Sequence, residues 1–318
     1  MIEEMERHET DPSIVACYRE FAPHPALQNR VRALFSFAPR AEQSPRTRRV
    51  TFEVRFVAGD RYRSPMFADG NSSIVFDLGT MVHRDGVWCD SAVARGGKVI
   101  GPMRRVASDP RDELPAMVGA YLHPAQLSAF ARFPSCEVTD RILPIEEAWG
   151  ATASDLSEQL VTLDESARVD LLESALLWRV AEPRNMESRV DVRGLAAWVL
   201  ARHGKLSIDT LADAAGVSRQ HLTRLFRTHV GVSPKLYSRL ARFQSALVHA
   251  EAGVRADWAR VADDLGYADQ SHMIAEFREF SSLTPHMLAA ERWFHPFIER
   301  AKAPRPLRPG IATLPGAR

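Results

Sequence analysis

Residues 216–231 read GVSRQHLTRLFRTHVG, and the fold of the C-terminal part of the chain turns on this stretch. Leu222, Leu225 and Phe226 recur at helical spacing, so a helix over 218–229 would set them on one stripe facing a core. The opposite side then carries Gln220, Thr223, Arg224 and Arg227. Three arginines stand in this window without a single carboxylate. A solvated helix face usually mixes both signs and gains i,i+4 support, so a one-sign face with amide and hydroxyl groups points to an anionic partner. A basic surface helix with no partner is the alternative that this window alone leaves open.

The whole chain sets the frame for that helix. Its 318 residues, 45% hydrophobic and 25% charged, have the composition of a soluble globular protein with room for two domains. A net charge of +1 says nothing about a partner, so any electrostatic argument has to be local. Cys17, Cys89 and Cys136 are far apart, with no C-x-x-C pair, which fits reduced thiols rather than a disulfide framework. The opening MIEEMERHETD is acidic where a secretory signal is basic and then apolar, and no run approaches the ~18 apolar residues of a bilayer span. The expectation is a cytoplasmic protein with no membrane partner.

Strand signals come first along the chain. Residues 50–57, 73–78 and 81–88 are rich in β-branched and aromatic side chains, with Asp85-Gly86 as a hairpin turn, and short apolar runs follow at 98–100 and 117–122. From Pro144 the period becomes helical, with Ser154 and Asp164 as expected N-caps. Leu172, Ala175 and Leu176 form an apolar stripe that fits either packing on the strands or a subunit contact. The polar, proline-bearing stretch EPRNMES at 182–188 reads as a linker, and the proline- and arginine-rich 296–318 as a disordered tail. The expected division is a regulatory domain over 20–182, a linker over 183–189, and a helical domain over 190–295.

The helical part repeats itself. A shift of 51 residues lays His221 on His272, Leu222 on Met273, Phe226 on Phe277, Arg227 on Arg278 and Pro234 on Pro285; upstream, a shift of 50 lays Ala212 on Ala262 and Gly216 on Gly266. Each copy reads as a helix, a turn with a glycine, and a second helix, which is the sequence form of a helix-turn-helix. The second helix of such a unit fits the major groove of B-DNA. Between the copies Leu236, Leu240, Phe243 and Leu247 mark one long helix of roughly 30 Å, close to the ~34 Å of one DNA turn. From Ala214 to Ala250 there are six Lys/Arg and no Asp or Glu, while Asp257 to Glu279 has six acids against Arg260 and Arg278. The first unit is therefore expected to dominate DNA affinity.

These residues resemble a known family. LADAAGVSRQHLTRLFRTHVGVSPKLY and DLGYADQSHMIAEFREFSSLTPHML are similar to the two helix-turn-helix units of the AraC/XylS transcriptional regulators, through A-x-x-x-G-x-S, H-L-x-R-x-F, G-x-S-P, G-Y-x-D-Q-S-H, F-R-x-F and T-P in order. The resemblance implies an α+β protein: an N-terminal strand-rich, cupin-like barrel with accessory helices, and a C-terminal all-α domain that binds double-stranded DNA with sequence preference. It implies base reading at Gln220, Thr223 and Arg224, flanked by Arg219 and Arg227, and at Gln270, Ser271, Ile274 and Ala275 in the second unit. Lys235, as a phosphate contact, and Arg278 complete the set. Where Ala275 stands the family commonly has a polar or basic residue, so Ile274 and Ala275 offer apolar contact only, as to a thymine methyl. The further candidate partners are RNA polymerase, a small-molecule effector and a second copy in a homodimer. The N-terminal half has a fainter likeness to some of these regulators through FADGNSSIVFDLG, VIGP and VTDRILPIEEAWG.

Other chemistry lacks its motifs. There is no H-x-H, H-E-x-x-H, G-x-S-x-G, P-loop or G-x-G-x-x-G, and His83 and His123 stand isolated in the strand-rich half, so neither catalysis, a metal nor a cofactor is expected. Two readings remain: a regulator whose N-terminal domain senses an effector or pairs subunits, and an interaction protein whose N-terminal domain docks another protein. A pocket with converging polar groups would favour the first, an exposed apolar patch the second.

Overall fold

In the computed structural model the described residues are 13–38, 48–57, 68–84, 87–91, 96–105, 113–181, 188–251 and 257–290. The N-terminal strands are β1 (Ser13–Phe21), β2 (Val31–Ala38), β3 (Arg48–Val57), β4 (Ser73–Arg84), β5 (Val87–Ser91), β6 (Gly96–Ile100), β7 (Glu113–Leu122) and β8 (Ile142–Pro144). They pair antiparallel in one sheet ordered β3-β1-β2-β7-β4-β6-β8, with β5 alongside β4. β4 lies against β7 on one side; on the other, its first half pairs with β6 and its second with β5. The alternation on β4 and β6 puts Ile74, Phe76 and Val99 in the core, where they meet Leu34, Val118 and Ala120. The sequence pattern marks β3 to β7 but not β1 or β2, and the expected Asp85-Gly86 turn lies outside the described residues.

Three helices cover this sheet: α1 (Ile145–Trp149), α2 (Thr152–Thr162) and α3 (Glu165–Ala181). Leu172 and Leu176 of α3 are buried in the sheet's own core, so the stripe read as open between an internal and a subunit role is internal. Arg19 on β1 and Glu165 on α3, both buried, form an ion pair that ties the helix layer to the sheet. Asp164 accepts from the backbone N–H of Ala167 at 2.9 Å, as a cap should. Ser154 does not cap: α2 begins at Thr152, and the Ser154 hydroxyl turns to Glu146 at 3.4 Å.

The C-terminal part is all helix: α4 (Val192–Ala201), α5 (Ile208–Ala215), α6 (Arg219–Val230), α7 (Pro234–Glu251), α8 (Trp258–Asp264), α9 (Gln270–Ser281) and α10 (Pro285–Ala290). Tyr237, Leu240, Phe243 and Leu247 of α7 are buried at the centre of this second core. Phe243 packs edge-on against Phe277 of α9, ring centres 5.1 Å apart, and Tyr237 against Phe226 of α6 at 6.0 Å. α7 thus joins the two helix pairs. No helix among the described residues is long and apolar enough to cross a membrane. The expected linker 182–188 and tail 296–318 fall, apart from Ser188, outside the described residues.

Candidate nucleic-acid interface

The two helix pairs agree down to their caps. Ser207 begins α5 by accepting from Thr210 N at 3.0 Å, and Asp257 begins α8 by accepting from Arg260 N at 3.2 Å. Ser218 begins α6 through His221 N at 3.2 Å, and Asp269 begins α9 through His272 N at 2.7 Å. Each cap satisfies a backbone donor that the first turn leaves open, so helix start points follow from these side chains. Gly216 ends α5 at φ 63°, in the left-handed region that glycine enters without strain, and so sets the turn into α6. α6 and α9 start and stop 51 residues apart, at the shift found in the sequence.

α6 presents the two faces its sequence calls for. Leu222 and Phe226 are fully buried, each burial stabilising by about 1.5–3 kcal/mol, while Leu225 packs part-buried on the same core. Arg219, Gln220, Arg224 and Arg227 are exposed, and Thr223, half-buried, donates its hydroxyl to Arg219 O at 2.8 Å. On α9, Met273 and Phe277 are buried; Gln270, Ser271, Ala275 and Arg278 are exposed and Ile274 is half-buried. Lys235, in the first turn of α7, is exposed.

The basic residues divide into two groups that charge counting does not separate. Arg239 donates from Nε to Glu276 at 2.7 Å and from Nη2 to Glu279 at 2.5 Å, so it clamps α7 to α9. Its burial opposes the charge, but the bonds to Glu279 and Glu276 outweigh that and raise its pKa. Arg242 lies over the Tyr267 ring, 5.0 Å from its centre, and donates to Gly266 O at 3.0 Å. Burial, followed by the Glu276 charge, pushes the pKa of the Tyr267 hydroxyl up. Arg219 pairs with Asp209 at the surface. Among the described residues, Arg224, Arg227 and Lys235 have no ion pair. The positive field expected over 214–250 is therefore concentrated on α6 and the start of α7, while Glu276 and Glu279, two of the acids expected to oppose it, are taken up by Arg239.

The N-terminal part is docked on the end of α6, which sequence reasoning did not find. Ser135, in a short 3-10 turn, donates its hydroxyl to His229 O at 2.6 Å, and Thr139 donates to Gly231 O at 2.8 Å. These bonds satisfy carbonyls that a helix C-terminus leaves open. Gly231 has φ 94°, and a Cβ there would stand 2.8 Å from both Pro102 and Thr139. Burial lowers the pKa of His229 at this joint. On α7, Gln244 donates to Asp69 O at 2.5 Å, and Gly70 lies under the Tyr237 ring. Ala68 belongs to the helical core, not the sheet core. Apart from Ser135, the docking residues come from FADGNSS, VIGP and VTDR, the stretches behind the faint N-terminal likeness, whose spacing offers no hint that they meet.

Residues 211–290 match the family model described as a helix-turn-helix domain. Over 78 residues the chain is 31% identical to an uncharacterized HTH-type transcriptional regulator of Haemophilus influenzae, covering 24% of this chain and 26% of that protein. The match thus spans about a quarter of that curated relative's length. Among solved structures, the chain is similar to the C-terminal domain of AraT, a response regulator from Geobacillus stearothermophilus, at TM-score 0.30 and 18% identity, covering 34% of this chain and 93% of that one. It is similar to ToxT from Vibrio cholerae at TM-score 0.42 and 10% identity, covering 73% and 97%. Residues 211–290, which span both turns and both second helices, thus match a helix-turn-helix domain.

Proposed function

We propose that this protein is a sequence-specific DNA-binding transcription regulator in which α6 is the main reading helix. The observation that carries the reading is the outer face of α6. Gln220, Arg224 and Arg227 are exposed there, no acid shares the helix, and the two arginines are free of internal pairs among the described residues. Gln220 and Arg224 lie four residues apart and so on the same face, where an amide can address adenine and a guanidinium guanine. Gln270, Ser271, Ile274 and Ala275 on α9 offer a weaker set; with Arg278 they serve to hold the second unit on the duplex and fix register.

The N-terminal part is read as a regulatory domain that passes its state to α6 through the Ser135 and Thr139 contacts, with 183–189 as the linker between the two domains. That docking on the DNA-binding helices favours regulation over a bare protein-docking role. Selecting duplexes from a random library with the full chain tests the reading. The expected result is a defined motif, and Arg224→Ala then costs about 1–3 kcal/mol on it and relaxes preference at one base pair. Equal loss on selected and random duplexes would remove Arg224 from the readers.

A further inference from the structure

The joint between the two parts places a second set of cations beside α6. Pro102 leans on Gly231, and the chain continues directly into Arg104 and Arg105, both exposed. Across a cleft of about 540 Å³ stands the start of α7, with Ser233, Lys235 and Arg239. Asp140 and Glu279 are the acids in the cleft, and each already has a cation. Asp140 accepts from both the backbone N–H and Nε of Arg104, each at 2.6 Å, and Glu279 holds Arg239. Arg105 and Lys235 have no ion pair among the described residues, so the unmatched charge of the cleft is positive.

The shape and lining decide the class of ligand. A small-molecule site encloses most of its ligand in largely apolar walls. Here Leu236 is the one apolar side chain of the lining, and the Arg104 side chain is 55% exposed. An open cationic slot of this kind suits a polyanion that passes across the surface. It also lies at the first turn of α7, whose dipole adds to the positive field there. Ser135, Thr139 and Pro102 hold the arginine-bearing segment on α6, so little ordering is required when an anion arrives.

We propose that Arg105, with Arg104 beside it, contacts the same DNA backbone as Lys235, so that the N-terminal domain grips the operator duplex directly. The inference rests on the reading of α6 as a DNA-contacting helix, and it makes affinity depend on where the docked segment sits. Any change that moves residues 101–105 away from α6 then withdraws a phosphate contact without touching the base-reading side chains.

The test uses the full chain and its Arg105→Ala, Arg105→Lys, Lys235→Ala and Arg224→Ala variants. Each is titrated across a range of salt against a duplex selected by the wild-type chain and against a random duplex. Arg105→Ala is expected to lower the slope of log K against log salt by about 0.9, as Lys235→Ala does, and to weaken both duplexes by the same factor. Arg105→Lys is expected to keep the wild-type slope, because a point charge serves a phosphate. Wild-type slope and affinity in Arg105→Ala overturn the contact, as does a loss confined to the selected duplex. In either case Arg224→Ala still relaxes preference at one base pair if α6 reads DNA, so the wider reading survives. A wild-type chain that selects no duplex overturns both.

Discussion

An arginine on a helix can face a ligand or an acid of its own fold, and Arg224 and Arg239 divide along that line. Helical period assigns Arg224 to the outer face because its neighbours Leu222 and Phe226 fix the inner one. It cannot assign Arg239, whose partners Glu276 and Glu279 lie 37 and 40 residues away. Local pattern is therefore a good guide to the candidate site on α6 and a poor one to the charge around it. Arg19 and Glu165 show the same limit, since nothing in either local sequence announces a buried pair. Glu165→Ala should destabilise the sheet part by about 3–5 kcal/mol by leaving a guanidinium buried without its partner, as urea unfolding would show. A loss below ~1 kcal/mol, the range of a surface pair, would place that ion pair in contact with water.

Two histidines make stability depend on pH, His229 at the joint and His203 just past the end of α4. His229 has a folded-state pKa below its ordinary 6.5 because it is partly buried, and His203 is lowered by burial, then by Lys205 and His249. As pH falls through about 6.5 the unfolded chain takes up these protons first, so the stability present above that value declines below it. Unfolding midpoints measured on either side of 6.5 should fall on the acid side, and His229→Gln should flatten the fall. A midpoint that rises in acid would contradict the sign.

Among elements, the helices were more legible than the strands, for physical reasons. The helix pairs carry caps, turn glycines and a 3.6-residue period that act locally, and the repeat doubles every signal. β1 and β2 carry no such marks: Arg19, Glu20 and Ser36 are buried beside Tyr18, Phe21 and Phe35, so polarity does not alternate with burial. Ser154 was a reasonable cap by type, but α2 extends one turn's fraction further back and leaves it inside the helix. Two turn glycines separate conformation from packing. Gly216→Ala meets only the left-handed penalty of about 1–2 kcal/mol, since a Cβ there meets nothing within 4 Å. Gly231→Ala adds a clash with Pro102 and Thr139 and should cost clearly more, with weakened docking of the N-terminal part, as calorimetry would report. Equal costs would mean that the Gly231 contact is slack.

For the whole molecule, two hydrophobic cores meet through a polar seam and one inserted loop. Fold class and the two-part layout follow from the change of period along the chain, whereas the seam is built by residues from three separated stretches and no single window contains it. The loop has a practical outcome. Ala68 and Gly70 cover Tyr237 and Leu240, so a fragment starting near residue 190 would leave that aromatic and aliphatic surface wet. Such a fragment should fold its helices, yet self-associate at concentrations where the intact chain stays dispersed, and light scattering on the two would show it. The N-terminal part is then a cover for the helical core, and a truncation chosen to isolate the C-terminal helices would trade one task for another: replacing the missing cover by a polar Tyr237 substitution before the fragment is usable.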